Sequence, residues 1–142
     1  MIIRGRFTGD APYFAVYFRS PYFRGQVWLL ADTGASYTTL LDRDVKLLNI
    51  PAEALKLDLV PIVGIGGSVR SFQVRDVEIT MASDEGDVVL QQDLWLVKHD
   101  LEHLSPRETA RILRIPSVLR RDVINRFHFT YDYQDGIVQL GR

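Results

Sequence analysis

Among the 142 residues, the group best placed to do chemistry is one carboxylate, Asp32. It stands at the end of an apolar run, Gln26-Val27-Trp28-Leu29-Leu30-Ala31, and is followed by Thr33-Gly34-Ala35-Ser36. Burying an unpaired charge is costly, so a carboxylate delivered by a buried strand calls for a purpose. The small residues after it let the backbone turn sharply and approach the carboxylate closely. Other groupings are less reactive. Gly64-Ile65-Gly66-Gly67 is glycine-rich, but a phosphate loop wants a following helix and a lysine, and here a strand pattern follows with no lysine near. His99-Asp100-Leu101-Glu102-His103 matches the His-x-x-Glu-His pattern of inverted zinc peptidases. That chemistry needs a continuous helix, whereas Ser105-Pro106 starts a new one, so a solvated polar corner with no metal is expected. His128 alternates with Phe127 and Phe129, which marks an outward or hydrogen-bonded strand residue rather than a catalytic base.

The elements that must position Asp32 read as strands. Residues 2–8 and 13–18 form a hairpin across Gly9-Asp10-Ala11-Pro12, and 26–31 is a strand buried on both faces. A short helix fits 42–49, capped by Asp42 and stopped by Pro51. Residues 57–63 and 68–80 flank the glycine-rich tip as a long hairpin, and Gly86 to Val97 adds a further strand. Ser105-Pro106-Arg107-Glu108 is the clearest helix start, combining a serine cap, a proline at the first helical position and a glutamate three residues on. That helix should reach about Leu113, with another short one at 121–126. A hairpin ends the chain: 127–133, a Gln134-Asp135-Gly136 turn, and 137–140. Trp28 and Trp95 are expected in the core.

Composition excludes several classes. A chain of 142 residues with 46% hydrophobic and 25% charged residues suits one domain over 1–142 with its own core. With 17 basic and 18 acidic residues the net charge is −1, so no single-sign field draws in nucleic acid or an anionic membrane. The early arginines Arg4, Arg6, Arg19 and Arg24 are then a solvated face. The absence of cysteine excludes a disulfide scaffold, a thiol nucleophile and a sulfur-based zinc site. The apolar run at the N-terminus breaks after Ile3, and the longest apolar stretch falls far short of a membrane span. A cytoplasmic domain is expected.

The strand and Asp32-Thr33-Gly34 together resemble the pepsin-like and retroviral aspartic proteases, most closely the single-domain, retropepsin-like branch. Further segments match in order. Thr38-Thr39-Leu40 follows the motif toward a short helix, and the glycine-rich tip comes about thirty residues later, where the family has its flap. Val118-Leu119-Arg120-Arg121-Asp122 is similar to the second signature, two apolar residues before Gly-Arg-Asp/Asn and a short helix. The matches span roughly residues 26 to 128.

The resemblance implies a mostly β, retropepsin-like acid protease fold: a closed, barrel-like subunit with two or three short helices and a flap hairpin at about 57–80. It implies an aspartic endopeptidase that needs no cofactor and no metal. Peptide hydrolysis by this class uses a water held between two carboxylates that share one proton. This chain has one such motif, so the second carboxylate must be Asp32 of an identical partner, giving a two-fold homodimer. Thr33 would hydrogen-bond across the axis, and Gly34 would present its backbone to substrate. Gly64, Ile65, Gly66 and Gly67 would close over an extended peptide. Ala35 stands where pepsins carry a serine whose hydroxyl bonds the carboxylate, so that bond is expected to be absent. Leu119, Arg121 and Asp122 would support the site from the second signature.

Three departures set expectations of their own. Arg120 replaces the glycine of the second signature. If that position is left-handed, an arginine there costs about 1 kcal/mol, and its cation extends toward the substrate floor. Ser36 replaces an acid that pairs with the arginine matching Arg121, so Arg121 should turn to Asp122 or Asp42. The helical insertion at about 99–113 has no counterpart in the compact viral enzymes. The rival readings are a catalytically silent dimeric module that binds extended peptides, and an assembly domain whose flap surface docks a partner.

Overall fold

Alternating apolar side chains on long strands build the interior. The structure is a computed structural model that describes residues 1–57 and 69–142. In chain order come β1 (Ile2–Arg4), β2 (Arg6–Thr8), β3 (Ala11–Arg19), β4 (Arg24–Ala31) and β5 (Thr39–Leu40). Helix α1 (Asp42–Leu47), a 3-10 turn (Ala52–Ala54) and β6 (Lys56–Leu57) follow. Then come β7 (Val69–Ser83), β8 (Gly86–His99), α2 (Pro106–Ile112), β9 (Val118–Leu119), α3 (Arg121–Ile124), β10 (His128–Asp132) and β11 (Ile137–Gly141). An eight-stranded sheet runs β2-β3-β4-β9-β5-β8-β7-β6, and an additional β3–β7 pairing curls it into a partly closed barrel. A three-stranded sheet, β1-β11-β10, lies beside it.

Phe14, Val16 and Phe18 of β3 are buried against Val77, Ile79 and Met81 of β7 and Leu94 and Leu96 of β8 in one cluster. Each such side chain contributes about 1.5–3 kcal/mol of burial. Phe7 joins the two sheets, meeting the rings of Tyr131 and Tyr133 edge-on at 5.4 and 5.3 Å.

The helix start at Ser105 forms as expected: its hydroxyl accepts from Glu108 N, and the Glu108 side chain answers Ser105 N. The short helix at α3 and the C-terminal hairpin also form. Other expectations are corrected. Residues 2–8 do not make one hairpin arm. The chain breaks at Gly5, whose N–H donates to Val138 O at 2.8 Å, so β1 joins β11 and only β2 pairs with β3. A side chain at Gly5 would stand 2.6 Å from Tyr13 O, which is why this break needs glycine.

Strand β4 is not buried on both faces. Val27 and Leu29 face the core, while Trp28 and Leu30 are half-buried and Gln26 is exposed. Trp28 carries the Arg6 guanidinium 3.7 Å above its ring, and Trp95 is likewise half-buried beside Tyr37. Neither tryptophan is a core residue.

Asp42 does not cap α1. The cap position is Leu41, and the buried Asp42 carboxylate instead accepts from His99 N at 2.8 Å and His99 Nδ1 at 2.6 Å. This contact ties the start of α1 to the end of β8, beside the parallel pairing of β5 with β8. His99 is thus engaged as a strand-end residue, and His128 points outward on β10. Of the first flap arm, only Lys56–Leu57 lies within the described residues, paired with Phe72 and Gln73 of β7. The second arm continues to Ser83 and forms a long hairpin with β8, bulged between Val74 and Val77.

Candidate active site

Strand β9 is the support on which the site is built. It pairs in parallel with β4 (Leu30 with Val118, Ala31 with Leu119) and antiparallel with β5 (Thr39 with Val118). Ser117, just before β9, is fully buried. Its hydroxyl accepts from Leu41 N at 2.9 Å and donates to Asp44 Oδ2 at 2.6 Å, fixing β9 to the start of α1. At the end of β4 the backbone N–H of Asp32 donates to Leu119 O at 2.9 Å. The carboxylate therefore leaves a strand anchored on both sides, and its side chain stays 37% exposed, open to solvent.

The loop after Asp32 folds back on its own carboxylate. Gly34 N donates to Asp32 Oδ1 at 2.9 Å, and a side chain at Gly34 would stand 3.0 Å from that oxygen. The loop then rests on α3: Arg121 N donates to Ala35 O at 3.3 Å and Asp122 N to Ser36 O at 3.1 Å. Thr33 is exposed, and no side-chain hydrogen bond of its own is recorded among the described residues.

Asp122 holds the far end of the loop. Its carboxylate accepts from Thr38 N at 2.9 Å, from Thr38 Oγ1 at 2.6 Å and from Gln92 Nε2 at 3.1 Å. The fully buried Thr38 also accepts from Arg120 N at 3.0 Å, so one hydroxyl links the loop to Arg120 and Asp122 of the second signature. Hydrogen bonds to a charged acceptor contribute about 1.5–3 kcal/mol each, making this the strongest tie in the site.

Two expectations about arginines are corrected. Arg121 turns neither to Asp122, which Thr38 and Gln92 occupy, nor to Asp42, which His99 occupies. Its Nη2 donates to the Ser36 hydroxyl at 2.9 Å. Arg120 is extended (φ −120°, ψ −172°) and so bears none of the left-handed strain expected of a residue standing in for glycine. Its side chain lies along the loop, with Nη1 donating to Tyr37 O at 3.3 Å and to Thr39 Oγ1 at 3.4 Å, and Nε 3.5 Å from Asp32 Oδ2.

Asp32, Gly34, Ala35, Leu119, Arg121 and Asp122 are thus brought together by β4, β9 and α3. Gly64, Ile65, Gly66 and Gly67 lie outside the described residues. Sequence reasoning did not assign roles to Thr38 or Gln92. Thr38 was visible beside the motif, but nothing local marks Gln92, whose partner is thirty residues away.

No family model and no curated protein sequence matches the chain. Solved structures do. A retropepsin-like aspartic protease from Rickettsia conorii superposes with a TM-score of 0.59 at 17% identity, covering 99% of this chain and 88% of that one. The retroviral protease-like domain of Ddi1 from Leishmania major gives a TM-score of 0.52 at 9% identity, covering 91% and 92%. At these identities the likeness is one of fold, and that fold is retropepsin-like.

Proposed function

We propose, on the retropepsin-like fold and the setting of Asp32, that this chain is an aspartic endopeptidase whose active form is a homodimer. One observation carries the reading. Asp32 leaves an anchored strand with one oxygen held by Gly34 N–H and a carboxylate still open to solvent. A lone carboxylate activates water poorly; two within a few ångströms share a proton, so one can act as base and the other as acid. The partner's Asp32 supplies the second. The water attacks the scissile carbonyl, and no covalent intermediate forms.

In the proposed dimer Thr33 bonds across the two-fold axis and Gly34 offers its backbone to an extended peptide. The proposed enzyme is cytoplasmic, takes no cofactor or metal, and binds neither nucleic acid nor membrane. Among the described residues no helix is long and apolar enough to cross a membrane.

The test is cleavage of a mixed peptide library at mildly acidic pH. Pepstatin-sensitive cleavage, abolished by Asp32→Asn in a protein that remains dimeric, is the expected result. Unchanged cleavage by Asp32→Asn overturns the assignment. The second reading is a silent dimeric peptide-binding module. It draws on the Arg120 guanidinium lying beside the carboxylate, and predicts peptide binding without cleavage.

A further inference from the structure

We propose that Arg120 is a positioning residue for Asp32, supplying a hydrogen-bond donor to its Oδ2, which no donor of the loop reaches. The proposal rests on the peptidase reading above. Donors around the carboxylate are unevenly shared. Oδ1 has Gly34 N–H at 2.9 Å. For Oδ2 no donor of the loop stands within hydrogen-bond distance among the described residues: Ala35 carries a methyl group, and the Ser36 hydroxyl is turned to Arg121, accepting from its Nη2 at 2.9 Å. The group recorded beside Oδ2 is Arg120 Nε, at 3.5 Å.

The same pairing emerges from the arginine. Its Nε is buried and has no hydrogen-bond partner among the described residues, although buried donors are nearly always matched. The guanidinium is anchored through Nη1 to Tyr37 O and Thr39 Oγ1. Its backbone N–H is held by Thr38, and the residue is extended and unstrained. The side chain is only 29% exposed, so its position is set by the loop rather than by solvent. A small closure to the usual charge-assisted separation of about 2.7–2.9 Å satisfies the orphaned donor and fixes the plane of the carboxylate together. Arg120, foreign to the second signature, thereby takes over the work of the hydroxyl missing at Ala35.

The experiment compares wild type, Arg120→Gly, Ala35→Ser and the double variant in steady-state peptide cleavage. Loss of the donor lets the carboxylate rotate, so Arg120→Gly is expected to lower kcat about tenfold with KM within about twofold. Adding Ala35→Ser to Arg120→Gly should recover most of that loss, because a neighbouring hydroxyl can supply Oδ2; Ala35→Ser alone is the reference. A merely structural arginine would not be rescued this way. Wild-type or higher kcat for Arg120→Gly, or a double variant no better than Arg120→Gly, overturns the proposal. Arg120→Gln replaces the glycine variant if the latter does not fold.

If wild type cleaves nothing, the peptidase reading fails, and crystal structures of wild type and the Arg120 variant decide this inference. One carboxylate orientation bonded to Nε in wild type, with two orientations in the variant, supports it. The same single orientation in both overturns it.

Discussion

Asp122 gives its carboxylate to Thr38 and Gln92, leaving the neighbouring arginines to find partners in the loop. This explains how a second signature altered at Arg120 still holds the site: the residue that matters for the loop is the acid. Removing it leaves the fully buried Thr38 N–H and hydroxyl without an acceptor. Asp122→Ala should therefore destabilise the protein by about 2–4 kcal/mol, read as a lower urea midpoint. Thr38→Val keeps the shape but loses the hydroxyl that serves Asp122 and Arg120 N, and should cost about 1–3 kcal/mol in the same assay, with Thr38→Ser close to wild type. Equal stability of Thr38→Val and wild type would remove the hydroxyl from this account. At this scale Asp32 was legible because an apolar strand ending in a carboxylate and small residues is a local pattern. The Arg121–Ser36 bond was not, since it depends on which acids had already been taken by distant partners.

Among the elements, α2 and the β1–β2 break show the limits of local reading. The α2 cap was legible because Ser105 and Glu108 satisfy each other within one turn. Yet α2 buries none of its residues. Ser105→Ala, which removes about 0.5–2 kcal/mol from a helix, should fray α2 in amide exchange while leaving the global unfolding midpoint nearly unmoved. A large fall in the midpoint would mean that α2 is coupled to the core. Gly5 behaves in the opposite way. Its role is set by Tyr13 and Val138, remote in sequence, so the segment reads locally as one strand. Gly5→Ala places a carbon 2.6 Å from a backbone oxygen, and should lower stability by about 1–3 kcal/mol as β1 and β2 shift apart. The Asp42 side chain was misread for the same reason: its acceptor role is completed by His99, on another element.

For the whole molecule, the mostly β class and the retropepsin-like fold were legible from ordered motifs, whereas the path of the sheet was not. The parallel pairing of β4 with β9 joins residues 30–31 to 118–119, and no turn or period in the sequence announces it. That pairing is nevertheless what brings Asp32 to Leu119 and the loop to α3. Asp32-Thr33-Gly34 occurs once in 142 residues, so in the proposed enzyme each chain supplies half of the site. Sedimentation should accordingly show a dimer at micromolar concentration. The central claim, one site made from two Asp32 carboxylates, is tested most directly by subunit mixing. Wild type and Asp32→Asn are combined in equal amounts at constant total protein, allowed to exchange subunits fully, and assayed for peptide cleavage. A shared site leaves about one quarter of the wild-type activity, since only dimers with two intact chains cleave. Retention of about one half would mean that each chain carries a complete site, and would contradict the account.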